Sequence, residues 1–169
     1  MLGWRPFGGG YVHDPSGGRI AYGSEDAYAV RMHNAEWKES RGAMQSVVLN
    51  QDEPAAVVVS GWSKALDVSG APDSGYAIYI DISFKDGKRL WGYTISFDTG
   101  THGWQFKAGV IDPEVAIHSL QLYTMFRWHS GTAWFDDLSV NTLKEGLCDY
   151  TQLTLEGLAE SHEKEKDEL

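Results

Sequence analysis

The sequence predicts an all-β domain, an antiparallel two-sheet β-sandwich or jelly roll. Three observations lead there. Short runs of alternating apolar and polar residues recur from Tyr22 to Val140, turn residues separate them, and no long helical pattern interrupts them. About eight such runs at this spacing suit a sandwich or jelly roll. No repeat of about 20–50 residues is present, which excludes a solenoid or propeller.

The runs are Tyr28–His33, Ala43–Leu49, Val57–Ala65, Tyr76–Phe84, Arg89–Phe97, Trp104–Ile111, Ser119–Arg127 and Thr132–Val140. Tyr76–Phe84 is the clearest. It is bounded by Pro72-Asp-Ser-Gly75 and Lys85-Asp-Gly87, and Tyr76, Ile78, Ile80, Ile82 and Phe84 share one face. Asp86-Gly87 then predicts a tight hairpin turn into Arg89–Phe97. Beyond the strands, Leu143, Leu147, Tyr150 and Leu153 hint at a short helix, which Gly146, Gly157 and two threonines weaken. We therefore divide the chain into a β-sandwich over residues 1–141 and a linker with an acidic tail over 142–169.

At 169 residues the chain has room for one domain with a substantial core. Its 24 acidic residues outnumber 14 basic ones, a formal net charge of −10, and no Lys/Arg cluster relieves it. Such a surface repels phosphate backbones, so nucleic acid is excluded as the expected partner. No apolar run has the length of a bilayer span, so membrane insertion is not expected. The single cysteine, Cys148, excludes an internal disulfide and a cysteine-based zinc site. Met1-Leu-Gly-Trp-Arg-Pro-Phe-Gly-Gly-Gly10 lacks the apolar stretch of a signal peptide. From Glu156 onward six acidic residues face two lysines, and the chain closes on Lys166-Asp167-Glu168-Leu169. That tetrapeptide matches the retrieval signal of the endoplasmic reticulum, which acts only on a chain that has entered the pathway.

Seven Trp, eight Tyr and six Phe exceed what a modest core requires. In three strands one face is apolar and the other mixed, with Trp62 and Lys64, Tyr79 and Asp81, and Tyr123 and Arg127 on the mixed faces. Rings beside charged hydrogen-bonding groups suit a sugar, whose C–H face packs on an aromatic ring while its hydroxyl rim needs polar partners. The other reading is that the rings pack beneath a loop or a neighbouring domain and the charges form ordinary ion pairs.

Four stretches add a resemblance: Ser40-Arg-Gly-Ala-Met-Gln45, Val59-Ser-Gly-Trp-Ser-Lys-Ala65, Gly100-Thr-His-Gly-Trp-Gln105 and Ser130-Gly-Thr-Ala-Trp-Phe-Asp-Asp-Leu-Ser-Val140. In order and spacing they resemble the CenC-like carbohydrate-binding modules, galactose-binding-like jelly rolls attached to cellulases and xylanases. The resemblance runs from about Gly8 to Val140. It implies a non-catalytic domain of the secretory pathway or the extracellular space that binds a glycan or polysaccharide on a concave sheet. Trp62, Tyr79, Asp81, Tyr123 and Arg127 are the implied ligand contacts, with Gln45 a weaker one. It also implies a structural Ca²⁺ near Asp136 or Asp137. Strict alternation would turn only one of these toward the ion, and a carboxylate capping backbone N–H groups is the other reading. Family domains open with an extra Asn-Gly-Gly-Phe-Glu-like strand, and this chain starts inside the glycine-rich loop that follows it. The calcium site is therefore expected to be incomplete, and one sheet edge open unless the C-terminal segment covers it.

Catalysis is not expected. There is no Gly-x-Ser-x-Gly elbow, Walker loop, dinucleotide fingerprint or His-Glu-x-x-His, and the six histidines lack ligand spacing. His129 reads as a loop histidine beside Arg127. A glycosidase needs two carboxylates across the scissile bond, and Asp81 has no identifiable acidic partner. A protein-interaction or receptor-ectodomain module, or an accessory domain of a glycoside hydrolase, are the alternative functions.

Overall fold

A computed structural model describes residues 3–15, 17–19 and 28–143. In chain order the strands are β1 (Arg5–Gly8), β2 (Val12–Asp14), β3 (Ala29–Asn34), β4 (Ser40–Val48), β5 (Val57–Val68), β6 (Tyr76–Phe84), β7 (Arg89–Ser96), β8 (Gly100–Ile111), β9 (Ile117–Arg127) and β10 (Gly131–Thr142). They form two five-stranded sheets, ordered β1-β4-β9-β6-β7 and β2-β3-β10-β5-β8, and every pairing is antiparallel. No helix among the described residues is long and apolar enough to cross a membrane. The weak helical signal past Leu143, the acidic tail and Lys166-Asp167-Glu168-Leu169 lie outside the described residues.

All eight expected strands form, and β6 has the bounds its alternation predicts. Two further strands come from the glycine-rich N-terminal stretch. β1 pairs with β4 at one edge of the first sheet, and β2 pairs with β3 at one edge of the second. The turn between β6 and β7 follows the Asp-Gly signal: Gly87 has φ +87°, and Asp86 accepts the Lys88 N–H at 2.9 Å.

The core lies between the sheets and is built from alternate residues. Tyr76, Ile78, Ile80 and Ile82 of β6 and Leu120, Leu122 and Phe126 of β9 face Val57, Val59, Ala133 and Phe135 of the opposite sheet. Tyr76 centres an aromatic cluster, with Phe97, Phe126 and Phe135 at 5.6–5.8 Å between ring centroids. Its hydroxyl meets the Ser63 hydroxyl at 2.6 Å, and Ser63 in turn donates to the Trp134 carbonyl. Burial pushes the Tyr76 hydroxyl above its ordinary range, so it stays a neutral partner.

Candidate functional site

The outer face of the first sheet follows from its register. Arg5, Met44, Tyr123, Tyr79 and Thr94 lie in one cross-strand row. The next row places Ser46, Gln121 and Asp81 side by side, and the third places Val48, Ser119, Ser83 and Arg89. A groove of about 220 Å³ opens over these rows, lined by Ser46, Asp81, Ser83, Arg89, Trp91, Ser119, Gln121 and Tyr123.

Tyr79 and Tyr123 meet edge to face at 5.7 Å, and Phe7 abuts the other side of Tyr123 at 5.4 Å. Such pairs fix ring orientation, which lets a ring serve as a preformed platform. Arg127, two rows away on β9, lies 5.4 Å from the Tyr79 ring and 4.0 Å from the Trp128 ring. Asp81 accepts the Gly92 N–H at 3.1 Å, and Gln121 accepts the Ser46 hydroxyl at 2.8 Å. The Gln121 amide nitrogen and Arg127 Nε are buried without a hydrogen-bond partner. Burial, and then the Asp81 charge, hold the Tyr123 hydroxyl above its usual range.

Four of the implied contacts, Tyr79, Asp81, Tyr123 and Arg127, thus share one sheet face. Gln45 does not join them. It sits opposite Leu122, and its amide is where a Cβ on Gly3 would collide, so it points away from the groove. Trp62 does not join them either, because β5 belongs to the second sheet. There the Arg19 guanidinium covers Trp62 at 3.6 Å, and Phe106 tilts against it at 5.2 Å. Lys64 lies 4.9 Å from both Trp104 and Trp134 and donates to the Gly17 carbonyl. The Trp134 indole N–H donates to Asp14. Asp14, Gly17 and Arg19 therefore cover the Trp62–Lys64 face.

Sequence alternation misses Trp91. Its strand carries a bulge: Ile80 pairs with Tyr93 but Ile82 with Leu90, so Trp91 and Gly92 both oppose Asp81. Gly92 takes φ +78°, and a Cβ there would meet the Tyr79 hydroxyl at 3.2 Å. Trp91 consequently turns to the groove, 61% exposed. The glycine inside a strand was the available signal.

Asp136 and Asp137 sit on a second bulge, between Asp136 and Ser139 of β10, where Asp137 adopts φ +48°. The bulge breaks strict alternation and lets both carboxylates reach Arg19. Asp136 Oδ2 accepts the Arg19 backbone N–H at 2.7 Å, and Asp137 Oδ2 accepts its guanidinium at 2.6 Å. Asp136 Oδ1 also caps the Asp137 N–H at 2.8 Å. Calcium takes about six to eight oxygen ligands, and among the described residues no three Asp, Glu, His or Cys gather in one place. As they stand these residues do not fit the ion, because a guanidinium holds the cation's place. Removing calcium with EDTA is expected to leave the melting temperature unchanged. Arg19→Ala, which loses a part-exposed ion pair and a ring contact, is expected to destabilise by about 1 kcal/mol, or about 2–4 °C by calorimetry. An EDTA-induced drop in the wild-type midpoint would instead reveal a bound ion.

No family model and no curated protein sequence matches this chain. Solved structures do match. The CBM22-1 xylan-binding domain of Paenibacillus barcinonensis Xyn10C is 15% identical with a TM-score of 0.59, over 86% of this chain and 89% of that one. The C-terminal family 22 carbohydrate binding module of Clostridium thermocellum Xyn10B is 15% identical with a TM-score of 0.51, over 84% and 86%. The enzymatically active domain of bacteriophage CBA120 tailspike protein 4 is 9% identical with a TM-score of 0.60; 84% of this chain matches only 20% of that one. These likenesses show the fold. The chain is a β-sandwich jelly roll of the kind used by carbohydrate-binding modules.

Proposed function

We propose that this chain is a non-catalytic glycan-binding domain of the CenC-like kind whose ligand lies in the groove of the first sheet. The observation that carries this is the adjacency of Tyr123, backed by Tyr79, to Asp81, Gln121 and Trp91 in one open trough. Tyr123 and Trp91 offer ring faces and edges to sugar C–H groups, while the Asp81 carboxylate reaches hydroxyls. At about 220 Å³ the trough is smaller than the roughly 300 Å³ and more of an enclosing small-molecule pocket, as suits a chain lying across a surface. Asp81 is the one carboxylate among the described groove-lining residues, and hydrolysis of a glycosidic bond takes two. A polysaccharide ligand places the work of this domain in the secretory pathway or outside the cell.

Affinity electrophoresis and calorimetry against xylans, β-glucans and mannans test the reading. Retardation by at least one polymer, without release of reducing sugar, is expected. Folded protein that ignores the whole panel would remove this function, and a protein partner recovered instead would support an interaction module.

A further inference from the structure

The chain carries a net charge of −10, yet the outer face of its first sheet sets Arg5, Arg89 and Arg127 against the single carboxylate of Asp81. Arg19, Lys38, Arg41, Lys85, Lys88 and Lys107 each sit against a carboxylate at 2.6–3.9 Å. Five described cations have no such ion pair: Arg31 and Lys64 lie on the second sheet, which leaves Arg5, Arg89 and Arg127. All three belong to the first sheet and share its outer face, opposite Met44, Ser83 and Ser40 respectively. Arg89 lines the groove 5.5 Å from the Trp91 ring, and Arg127 lies between Tyr79 and Trp128 farther along the same sheet face. Asp73, an acid that feels the Arg127 charge, is already bonded to His129 and the Gly75 N–H.

Gln121 has its oxygen occupied by Ser46 and its amide N–H₂ without an acceptor, and Arg127 Nε also lacks one. Asp81 has one oxygen occupied by Gly92. On this face the charged donors of three guanidiniums stand against one carboxylate acceptor, Asp81. A neutral sugar hydroxyl both donates and accepts, whereas a carboxylate only accepts and matches a guanidinium fork.

We infer that the groove selects glycans bearing carboxylates, that is, chains containing uronic acid residues, with Arg5, Arg89 and Arg127 as the specificity-determining groups. This inference rests on the glycan-binding reading above. Long-range attraction supports it as well, because a local basic face in an acidic molecule orients an anionic chain toward the groove.

The test compares glucuronoxylan with the same polymer after chemical reduction of its carboxyl groups, by calorimetry at low and high salt. Native polymer is expected to bind about three- to tenfold more tightly than reduced polymer, as a few solvent-accessible ion pairs allow. The gap is expected to shrink in high salt, and in Arg5→Gln and Arg89→Gln. Arg31→Gln, on the opposite sheet, is the control that keeps it. Circular dichroism verifies that each variant is folded, and the two groove variants are read independently. Equal or stronger binding of the reduced polymer overturns the charge preference and leaves glycan binding intact. A gap unchanged by salt and by both groove variants also overturns it. Binding to neither polymer, with no affinity in the wider panel, removes both readings together.

Discussion

Tyr123→Ala is expected to weaken glycan affinity about thirtyfold, a loss of about 2 kcal/mol of the size typical for a central contact residue. Tyr123 lies on β9, the middle strand of its sheet, with Tyr79 on one side and Phe7 on the other. Its removal takes away a ring and frees both neighbours to rotate. The measurement is calorimetric titration with a polymer that binds wild type, alongside a thermal melt. Tyr123→Phe separates the two parts of the side chain, because it keeps the ring and deletes the hydroxyl beside Asp81. Wild-type affinity in folded Tyr123→Ala would move the site off this sheet.

His129→Ala should give the largest stability change outside the aromatic core, roughly 3 kcal/mol, or about 6–12 °C in melting temperature. The residue sits in the loop between β9 and β10, as a loop histidine, but it is only 2% exposed. Its Nδ1 faces the Ser69 carbonyl and its Nε2 faces Asp73 at 3.0 Å, while the ring stacks on Phe126 with 13° between planes. Asn34 donates to the His129 carbonyl at 3.0 Å and to that of Phe126 at 3.2 Å. Alanine leaves a cavity and strips two polar contacts. The loop it anchors begins with Trp128, held at φ +61° over Arg127, so affinity should fall with stability.

The same latch has a pH dependence. Partial burial opposes ionisation of Asp73, but the bonds from His129 and the Gly75 N–H outweigh it and hold its carboxyl below the ordinary value. A depressed carboxyl contributes stability that is present above its unfolded pKa and lost as pH falls through the folded one. Stability should therefore decline in acid, below about pH 4, and Asp73→Asn should flatten that decline in a series of melts. A slope unaffected by Asp73→Asn would assign it to other carboxylates.

The strands were largely legible because each buried face alternates with an outer one, as β6 demonstrates. β1 and β2 were not, since strands of four and three residues, Arg-Pro-Phe-Gly and Val-His-Asp, carry too little pattern to see. The candidate site was legible in part. Alternation says that Trp62 and Tyr79 both point outward, but not that their strands belong to different sheets. That depends on the long-range order of strands, which no local run encodes. Trp91 and the Asp136–Asp137 pair were obscured by bulges, each of which shifts the parity on which the reading depends.

The bulge at Gly92 bears on how such a domain can change over generations. Tyr79 and Tyr123 each stand between two buried residues, so substitutions around them disturb the packing that holds the sandwich. Trp91 stands on an edge strand at a place where one surplus residue has already been absorbed without disturbing the neighbouring pairs. Drift there can alter the groove's wall while the scaffold stays the same. The groove's wall on β7 is thereby free to vary apart from the packing beneath β6 and β9.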